Sequence, residues 1–278
     1  TQWTADSIGA ASIAMGDGPT ASGTNAIAMG HLARAKANNA VALGDSASAA
    51  GLWATALGRN VRATAQESFV AGSNSSANSV RSFTIGTNSQ SGGGEGAFTI
   101  GNNSSASGLR SFSLGTSNNV SGTSAMAIGT GNTSTGAFAM GWGSRAENGG
   151  VAIGTNVNTT GSSCIAIGYS YSPAMVHVSG EKCIAIGGEG TYADHWKSIA
   201  FGTNANGGYC TAFGFRTIST GGAGTSMGIS SYSYDYSWSG GGEAYDESHV
   251  VYPGGTSAGS TNLTFGGMCM TGGVGSIA

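Results

Sequence analysis

The 278-residue sequence contains few charged residues, little proline and no long apolar run. Charged residues make up 8% of the chain, against about a quarter in an average soluble protein. The net charge of −3 gives no electrostatic basis for binding nucleic acid. No apolar run approaches the roughly 20 residues of a membrane span, and the N-terminus TQWTADSIG lacks the basic and apolar regions of a signal peptide. We therefore expect neither a nucleic-acid partner nor direct membrane insertion.

Motifs for metal binding and hydrolysis are also missing. The four cysteines form no CxxC pair and the four histidines are scattered, which excludes zinc-site spacing. The sequence has no GxSxG elbow and no HExxH motif. It therefore predicts no metal centre, no cofactor and no enzymatic activity.

Two weaker chemical hypotheses depend on one acidic segment near the C-terminus. A glycan hydrolase would need paired carboxylates, and Asp235 with Glu243 or Asp246 is the grouping that fits best. The cluster of Glu243, Asp246, Glu247 and His249 also offers cation ligands. Its irregular spacing lacks the alternating ligands of a calcium loop, so we do not expect a metal there.

A short phrase recurs through most of the chain: a large apolar residue, a small residue, a second large apolar residue and glycine. The closing glycines are Gly16, Gly30, Gly44, Gly58, Gly72, Gly86, Gly101, Gly115, Gly129, Gly141, Gly154, Gly168, Gly187, Gly202, Gly214 and Gly228. Nine of the fifteen intervals are 14 residues, and the others are 12, 13, 15 or 19. A fixed period of this kind predicts a solenoid, because one repeat cannot bury its apolar face alone.

Each phrase has the period of two that is typical of a short strand. The large residues are expected to face the interior as the repeated core: Ile27, Met29, Val41, Leu43, Phe83, Ile85, Ile165, Ile167, Ile184 and Ile186. Glycines such as Gly30, Gly44, Gly58 and Gly168 are expected to form the tight turn that follows.

A second, weaker alternation of small residues follows each phrase, as in Ala47, Ala49 and Gly51. We interpret it as a second strand, so that each repeat forms one coil and successive coils pair in parallel about 4.8 Å apart. Cys164, Cys183 and Cys210 each open a phrase and are expected to pack as small buried residues on successive coils, with a disulfide between coils as the alternative. A coil of this size buries little apolar surface, which favours lateral association.

The phrases AIAMG, AVALG, AMAIG, GVAIG and CIAIG, with linkers such as DSASAAG, resemble the head repeats of trimeric autotransporter adhesins of the YadA type. The resemblance covers about residues 12–228. It implies a left-handed parallel β-roll, a side-by-side homotrimer, and binding to host surfaces or matrix. The sequence shows no neck, stalk heptads or anchor strands of a complete adhesin. The expected identity is therefore an excised head or another protein with the same roll, such as a phage tail fibre, displayed outside the cell on a bacterium or virion.

The regular repeat ends at Gly228, which suggests three parts. Residues 1–228 are predicted to form the roll, with an insertion at 169–182 that leaves it as a loop; residues 229–261 are an insertion or cap, and residues 262–278 return to the roll. The middle segment is rich in tyrosine and tryptophan: Tyr232, Tyr234, Tyr236, Trp238 and Tyr245.

Alternating aromatic and polar residues on one strand would line one face with rings. Rings with hydroxyl and indole donors suit a cell-surface glycan or a protein receptor. The same rings could instead cap the open end of the solenoid. The functional alternative to an adhesion fibre is a structural filament whose ends dock head to tail.

Overall fold

The computed structural model describes residues 7–170, 175–188, 190–202, 204–215, 217–220, 222–229, 231–233, 238–242, 256–258, 263–265 and 270–272. These residues form two compact units, Thr1–Ala137 and Phe138–Ala278. Each unit alternates strands that carry the apolar phrase, here called phrase strands, with shorter strands from the segments between phrases, called linker strands. The fold is therefore all-β, as the sequence predicts.

In the first unit, nine phrase strands alternate with nine linker strands. The phrase strands are Ile13–Met15, Ile27–Met29, Val41–Leu43, Thr55–Arg59, Phe69–Ser73, Phe83–Thr87, Phe98–Asn102, Phe112–Thr116 and Met126–Thr130. The linker strands are Thr20–Ala21, Arg34–Ala35, Ser48–Ala49, Arg62–Ala63, Ser76–Ala77, Gln90–Ser91, Ser105–Ala106, Asn119–Val120 and Thr133–Thr135.

The second unit follows the same alternation. Its phrase strands are Phe138–Trp142, Val151–Thr155, Ile165–Tyr169, Ile184–Gly187, Ile199–Phe201, Thr211–Phe215, Thr225–Ile229, Trp238–Gly242 and Leu263–Phe265. Its linker strands are Arg145–Glu147, Val157–Thr159, Val176–Val178, Tyr192–Ala193, Asn204–Ala205, Ile218–Ser219, Tyr232–Ser233, Thr256–Ala258 and Met270–Gly272.

Within each unit, every phrase strand pairs in parallel with the phrase strand of the next coil, residue against equivalent residue. Ile27 pairs with Val41, and Ala28 pairs with Ala42. The linker strands form a second parallel sheet in the same way, with Ala35 beside Ala49. This register confirms the predicted parallel β-solenoid of about 14 residues per coil. Within the predicted insertion, Val176–Val178 pairs with Val157–Thr159 as an ordinary linker strand, so that part of the interval stays in the roll.

The phrase-closing glycines form a column in which no side chain fits. Gly44 has φ +127°, and a Cβ on it would lie 2.1 Å from the carbonyl oxygen of Gly58 in the next coil. At Gly30 the corresponding distance to the oxygen of Gly44 is 2.3 Å. A positive φ and a backbone oxygen in contact both exclude a side chain. Glycine is therefore required once in each coil, which explains why it recurs in the sequence with the period of the coils.

The interior of each coil holds the small residue of the phrase and not the large ones. Ala28 and Ala42 are fully buried, whereas Ile27 and Met29 on either side are only partly buried and lie on the outer face. The prediction of inward large residues is therefore wrong for the whole set: Ile27, Met29, Val41, Leu43, Phe83, Ile85, Ile165, Ile167, Ile184 and Ile186. The physical reason is space, because the phrase and linker sheets of one coil approach closely. Mostly alanine-sized side chains fill the gap, and the largest fully buried side chains in the described part of the chain are those of valine, asparagine and threonine.

Buried hydroxyl groups show how narrow this interior is. Thr84 Oγ1 donates across the coil to the backbone oxygen of Ser76 (2.9 Å), and Ser91 Oγ donates to that of Phe83 (2.7 Å). A single short side chain therefore spans from one sheet to the other. At Thr84 and Ser91 the hydrogen bonds offset the cost of burying a hydroxyl, whereas the buried Ser113 Oγ, at the phrase position of Thr84, has no such partner among the described residues.

A ladder of polar side chains runs beside the glycine column. Ser75 Oγ donates to the carbonyl oxygen of Gly86 (2.9 Å) and accepts from the backbone N–H of Ser89 (3.1 Å). Ser89 Oγ repeats the first of these bonds to Gly101 (2.9 Å). The side chains thus satisfy inward-facing backbone groups, and they tie each coil to the next.

The glycine column gives a direct stability prediction. We expect Gly44→Ala to lower the free energy of unfolding by about 3 kcal/mol or more, because the new Cβ meets a backbone oxygen at a left-handed φ. The measurement is denaturant unfolding followed by circular dichroism. Gly208→Ala is the matched control, since a Cβ there meets nothing within 4 Å. Equal stability of the two variants would contradict the proposed contact.

Candidate functional site

The outer face of the phrase sheet in the first unit is a two-residue-wide band of large apolar side chains, called here the apolar ridge. Its members are Ile13, Met15, Ile27, Met29, Val41, Leu43, Leu57, Phe69, Phe83, Ile85, Phe98, Ile100, Phe112, Leu114, Met126 and Ile128. In this single chain, Ile13 is 54% exposed and Met15 is 56% exposed. Most of the other members are partly exposed, and Thr55 and Ala71 replace a large residue at one position each. An apolar band of this length on an outer face marks an interaction surface.

Stacked phenylalanines occupy the middle of the apolar ridge. Ring centroids are 4.8 Å apart between Phe69 and Phe83, 4.7 Å between Phe83 and Phe98, and 5.0 Å between Phe98 and Phe112, with nearly parallel planes. The spacing follows from the in-register parallel strands, which place equivalent side chains one strand spacing apart. The rings therefore present a flat and rigid apolar surface.

The phrase sheet of the second unit presents a corresponding face. Ile165 and Ile167 flank the fully buried Ala166 and remain partly exposed. Met140 and Phe213, at the equivalent phrase position in other coils, are each 36% exposed. Both units thus expose large apolar side chains on the outer face of their phrase sheets.

The aromatic residues predicted to bind a receptor are only partly within the described residues. Tyr232 lies in a linker strand, whereas Trp238 begins a phrase strand and is paired with Thr225. A single strand therefore does not carry both residues. The side chain of Trp238 is partly buried, and its ring lies against Gly240. Tyr234, Tyr236 and Tyr245 lie outside the described residues.

A second aromatic group, not predicted from the sequence, lies at a turn of the second unit. Trp196 and Tyr209 meet edge to face with ring centroids 5.3 Å apart, and they are 45% and 51% exposed. Lys197 Nζ lies 4.5 Å from the Trp196 ring centroid and 4.9 Å from that of Tyr209. We call these three residues the aromatic turn. An exposed pair of rings with a cation is a compact surface for recognising a sugar or protein.

The backbone of the aromatic turn is in an unusual conformation. Lys197 has φ +55° and Tyr209 has φ +60°, although large side chains disfavour this left-handed region. Trp53 occupies the same turn position in the first unit, with φ +61° and 58% exposure. The position recurs in most coils and carries residues of many kinds, such as Asn25, Glu67 and Arg81, so the aromatic turn is distinguished by its exposure and ring pairing and not by its backbone.

The cysteines pack as the sequence predicts where the structure describes them. Cys164, Cys183 and Cys210 are free and buried, so no disulfide joins their coils. Cys164 Sγ donates to the carbonyl oxygen of Gly180 (2.9 Å). Its hydrogen bond with Cys183, together with burial, raises the pKa of Cys164, which keeps it a thiol at neutral pH. Cys269 lies outside the described residues.

Neither a metal cluster nor a spanning helix occurs in the described part of the chain. No three His, Cys, Asp or Glu side chains lie together as metal ligands there. No helix in this part is long and apolar enough to cross a membrane. The acidic group of Asp235, Glu243, Asp246, Glu247 and His249 lies outside the described residues.

Comparison with known proteins identifies the repeat. A family model described as the YadA head domain repeat matches residues 7–33, 21–47, 35–60, 94–118 and 121–144. These matches lie in the coils of the glycine column and the apolar ridge, with one continuing to residue 144. No curated protein matches the chain.

Proposed function

We propose that this chain, which carries YadA head domain repeats between residues 7 and 144, is the head of a trimeric adhesion fibre displayed outside the cell. The YadA head family is a family of adhesins and is generally non-enzymatic. The observation that carries the proposal is the match of this repeat to coils whose large apolar residues face outwards. The fibre would bind a cell-surface glycan, a protein receptor or a matrix component.

The apolar ridge supports lateral assembly into a homotrimer. Each coil buries little more than alanine-sized side chains, so the interior of one chain offers a small hydrophobic stabilisation for about 14 ordered residues. The larger side chains, including Phe83 and Ile85, remain on the outside. Packing three ridges together would remove them from water, and the YadA-like family forms trimers.

Receptor binding is assigned to the C-terminal half of the chain. The aromatic turn supports this assignment because Trp196 and Tyr209 are exposed and paired edge to face. The segment from Tyr232 to Tyr245 is the second candidate, on the composition of its sequence. Tryptophan and tyrosine are both frequent among the residues that contribute most of the binding free energy at interfaces.

Two settings are compatible with this function. A bacterial surface adhesin and a phage tail fibre both need an extended support that holds a recognition patch away from an anchor. A structural filament remains the alternative function and requires head-to-tail docking of chain ends. A glycan hydrolase would require the carboxylates of Asp235, Glu243 and Asp246 to act together.

If the apolar ridge is the contact between subunits, a charge placed on it should prevent the trimer from forming. We expect Ile85→Asp to produce folded monomers, because an aspartate at a buried subunit contact would be an unpaired charge. Ile167→Asp is expected to act in the same way in the second unit. Sedimentation velocity measures the assembly state, and circular dichroism measures the fold.

Ser105→Asp is the control for this experiment, since Ser105 lies on the linker sheet of the first unit, away from the ridge. It should remain trimeric. Unfolded Ile85→Asp protein would show that a single chain does not keep its fold when the contact at Ile85 is lost, and a trimeric Ile85→Asp protein would exclude the ridge as the contact.

The receptor proposal predicts that aromatic residues can be removed without loss of assembly. We expect Trp196→Ala/Tyr209→Ala, or Tyr234→Ala/Tyr236→Ala/Trp238→Ala, to weaken binding at least about tenfold, since each truncated hot-spot residue costs about 2 kcal/mol. Binding is measured on an array of immobilised glycans and matrix proteins. Trp53→Ala, an exposed tryptophan at the same turn position in the first unit, is the control. Unchanged binding by both variants would leave these residues only a capping or packing role.

A further inference from the structure

The linker sheet of the first unit carries a polar slot that is separate from the apolar ridge and the aromatic turn. Arg34, Ser48 and Arg62 occupy the same position in three successive coils and pair in register. The two arginines are therefore two strand spacings apart, about 10 Å between their backbones. Because serine is much shorter than arginine, the middle coil is recessed between two long cationic side chains.

The slot has the size and lining of a small-ligand site. Its volume is about 370 Å³, near the lower end of the range for such sites. Arg34 and Arg62 form its walls, and Leu32, Ser46, Asn60 and Thr64 complete the lining with Ser48. Ser46 Oγ, Asn60 Nδ2 and Thr64 Oγ1 already donate to Asp45, Asn74 and Asn78 respectively, and each of these side chains keeps acceptor capacity for a ligand.

The cations of the slot are not engaged by carboxylates. Within the described residues, neither Arg34 nor Arg62 forms an ion pair, and both are exposed. Lys36, also exposed and unpaired in that part of the chain, lies two residues beyond Arg34. In a chain with only 10 lysines and arginines, three free cations on two flanking coils make a local positive patch.

Asp45 precedes Ser46, which lines the slot, and its carboxylate is already hydrogen-bonded. Its Oδ1 lies 2.8 Å from His31 Nδ1 and accepts a hydrogen bond from Ser46 Oγ (3.1 Å). The His31 contact is the main cause that lowers the pKa of Asp45, so this carboxylate stays ionised at the edge of the slot. Asp45 thus opposes anion binding, and its removal should favour it.

We propose that this slot binds an acidic group of a sulfated or carboxylated polysaccharide. The two guanidinium groups supply paired donors that match sulfate and carboxylate oxygens. Ser46, Ser48, Asn60 and Thr64 offer partners for neighbouring sugar hydroxyls, which a site for a bare anion would not need. The site lies on the linker sheet, so it adds a site for acidic glycans that does not depend on the aromatic residues.

The test is binding of the purified chain to isolated polysaccharides, with no cell or receptor, so its failure is distinct from failure of the adhesion proposal. Heparin is the sulfated probe, hyaluronan the carboxylated probe and dextran the neutral one, each titrated by calorimetry at low ionic strength. We expect binding to at least one acidic polysaccharide and none to dextran. Arg34→Gln/Arg62→Gln should weaken this binding about tenfold or more, since hydrogen bonds to charged groups are lost.

Arg81→Gln/Arg110→Gln is the control for overall charge, because it removes two positive charges from the other turn of the coil in the same unit, where Arg81 is ion-paired with Glu95. It should change affinity by less than about twofold if the slot is the site. Equal losses in the two double variants would overturn the proposal, since general charge attraction would then explain binding. Absence of binding to both acidic polysaccharides would overturn it too.

Two further measurements guard against misfolding and against another polyanion. Asp45→Asn should strengthen binding several-fold, a gain that damage to the fold would not produce, and unchanged or weaker binding would contradict the slot. Single-stranded DNA is the competing ligand. If it binds as tightly as the polysaccharide and loses affinity equally in Arg34→Gln/Arg62→Gln, the assignment to a glycan is wrong.

Discussion

The structure depends on one close contact between coils, that of each phrase-closing glycine with the carbonyl oxygen of the next. At Gly44 a Cβ would lie 2.1 Å from the oxygen of Gly58, so neither a side chain nor a shift in register is tolerated. This contact places equivalent residues of successive coils side by side, also where the interval departs from 14 residues, as between Gly86 and Gly101. The alanine column, the hydroxyl ladder and the stacked phenylalanines all follow from that register.

The fold could be predicted from the sequence because glycine spacing reports a backbone contact directly. The direction of the side chains could not be predicted as readily, since a period of two shows alternation without showing which set faces inwards. In most proteins the large apolar residues face the interior. In this fold Ala28 faces the interior of the coil, and its larger neighbours Ile27 and Met29 face outwards. The uniformly small middle residue was the signal that a volume argument would have used.

The candidate sites were less predictable because they depend on contacts between coils. Trp196 and Tyr209 stand thirteen positions apart in the sequence and meet only because the coils stack. In the sequence Arg34 and Arg62 look like ordinary surface residues. Only the register of the linker strands shows that Ser48 lies between them. The composition of the sequence singles out the tyrosines after Gly228. The aromatic turn and the polar slot are instead formed by single residues at turn and linker positions, which composition does not reveal.

The central claim is that one chain places its small residues inside and its large ones outside, so that lateral assembly supplies much of the stability of the fold. The most direct measurement is the urea midpoint of unfolding at protein concentrations spanning a hundredfold range. If unfolding is coupled to dissociation, the midpoint rises steadily with concentration. A midpoint that is independent of concentration would show that single coils stabilise themselves, and would contradict the account.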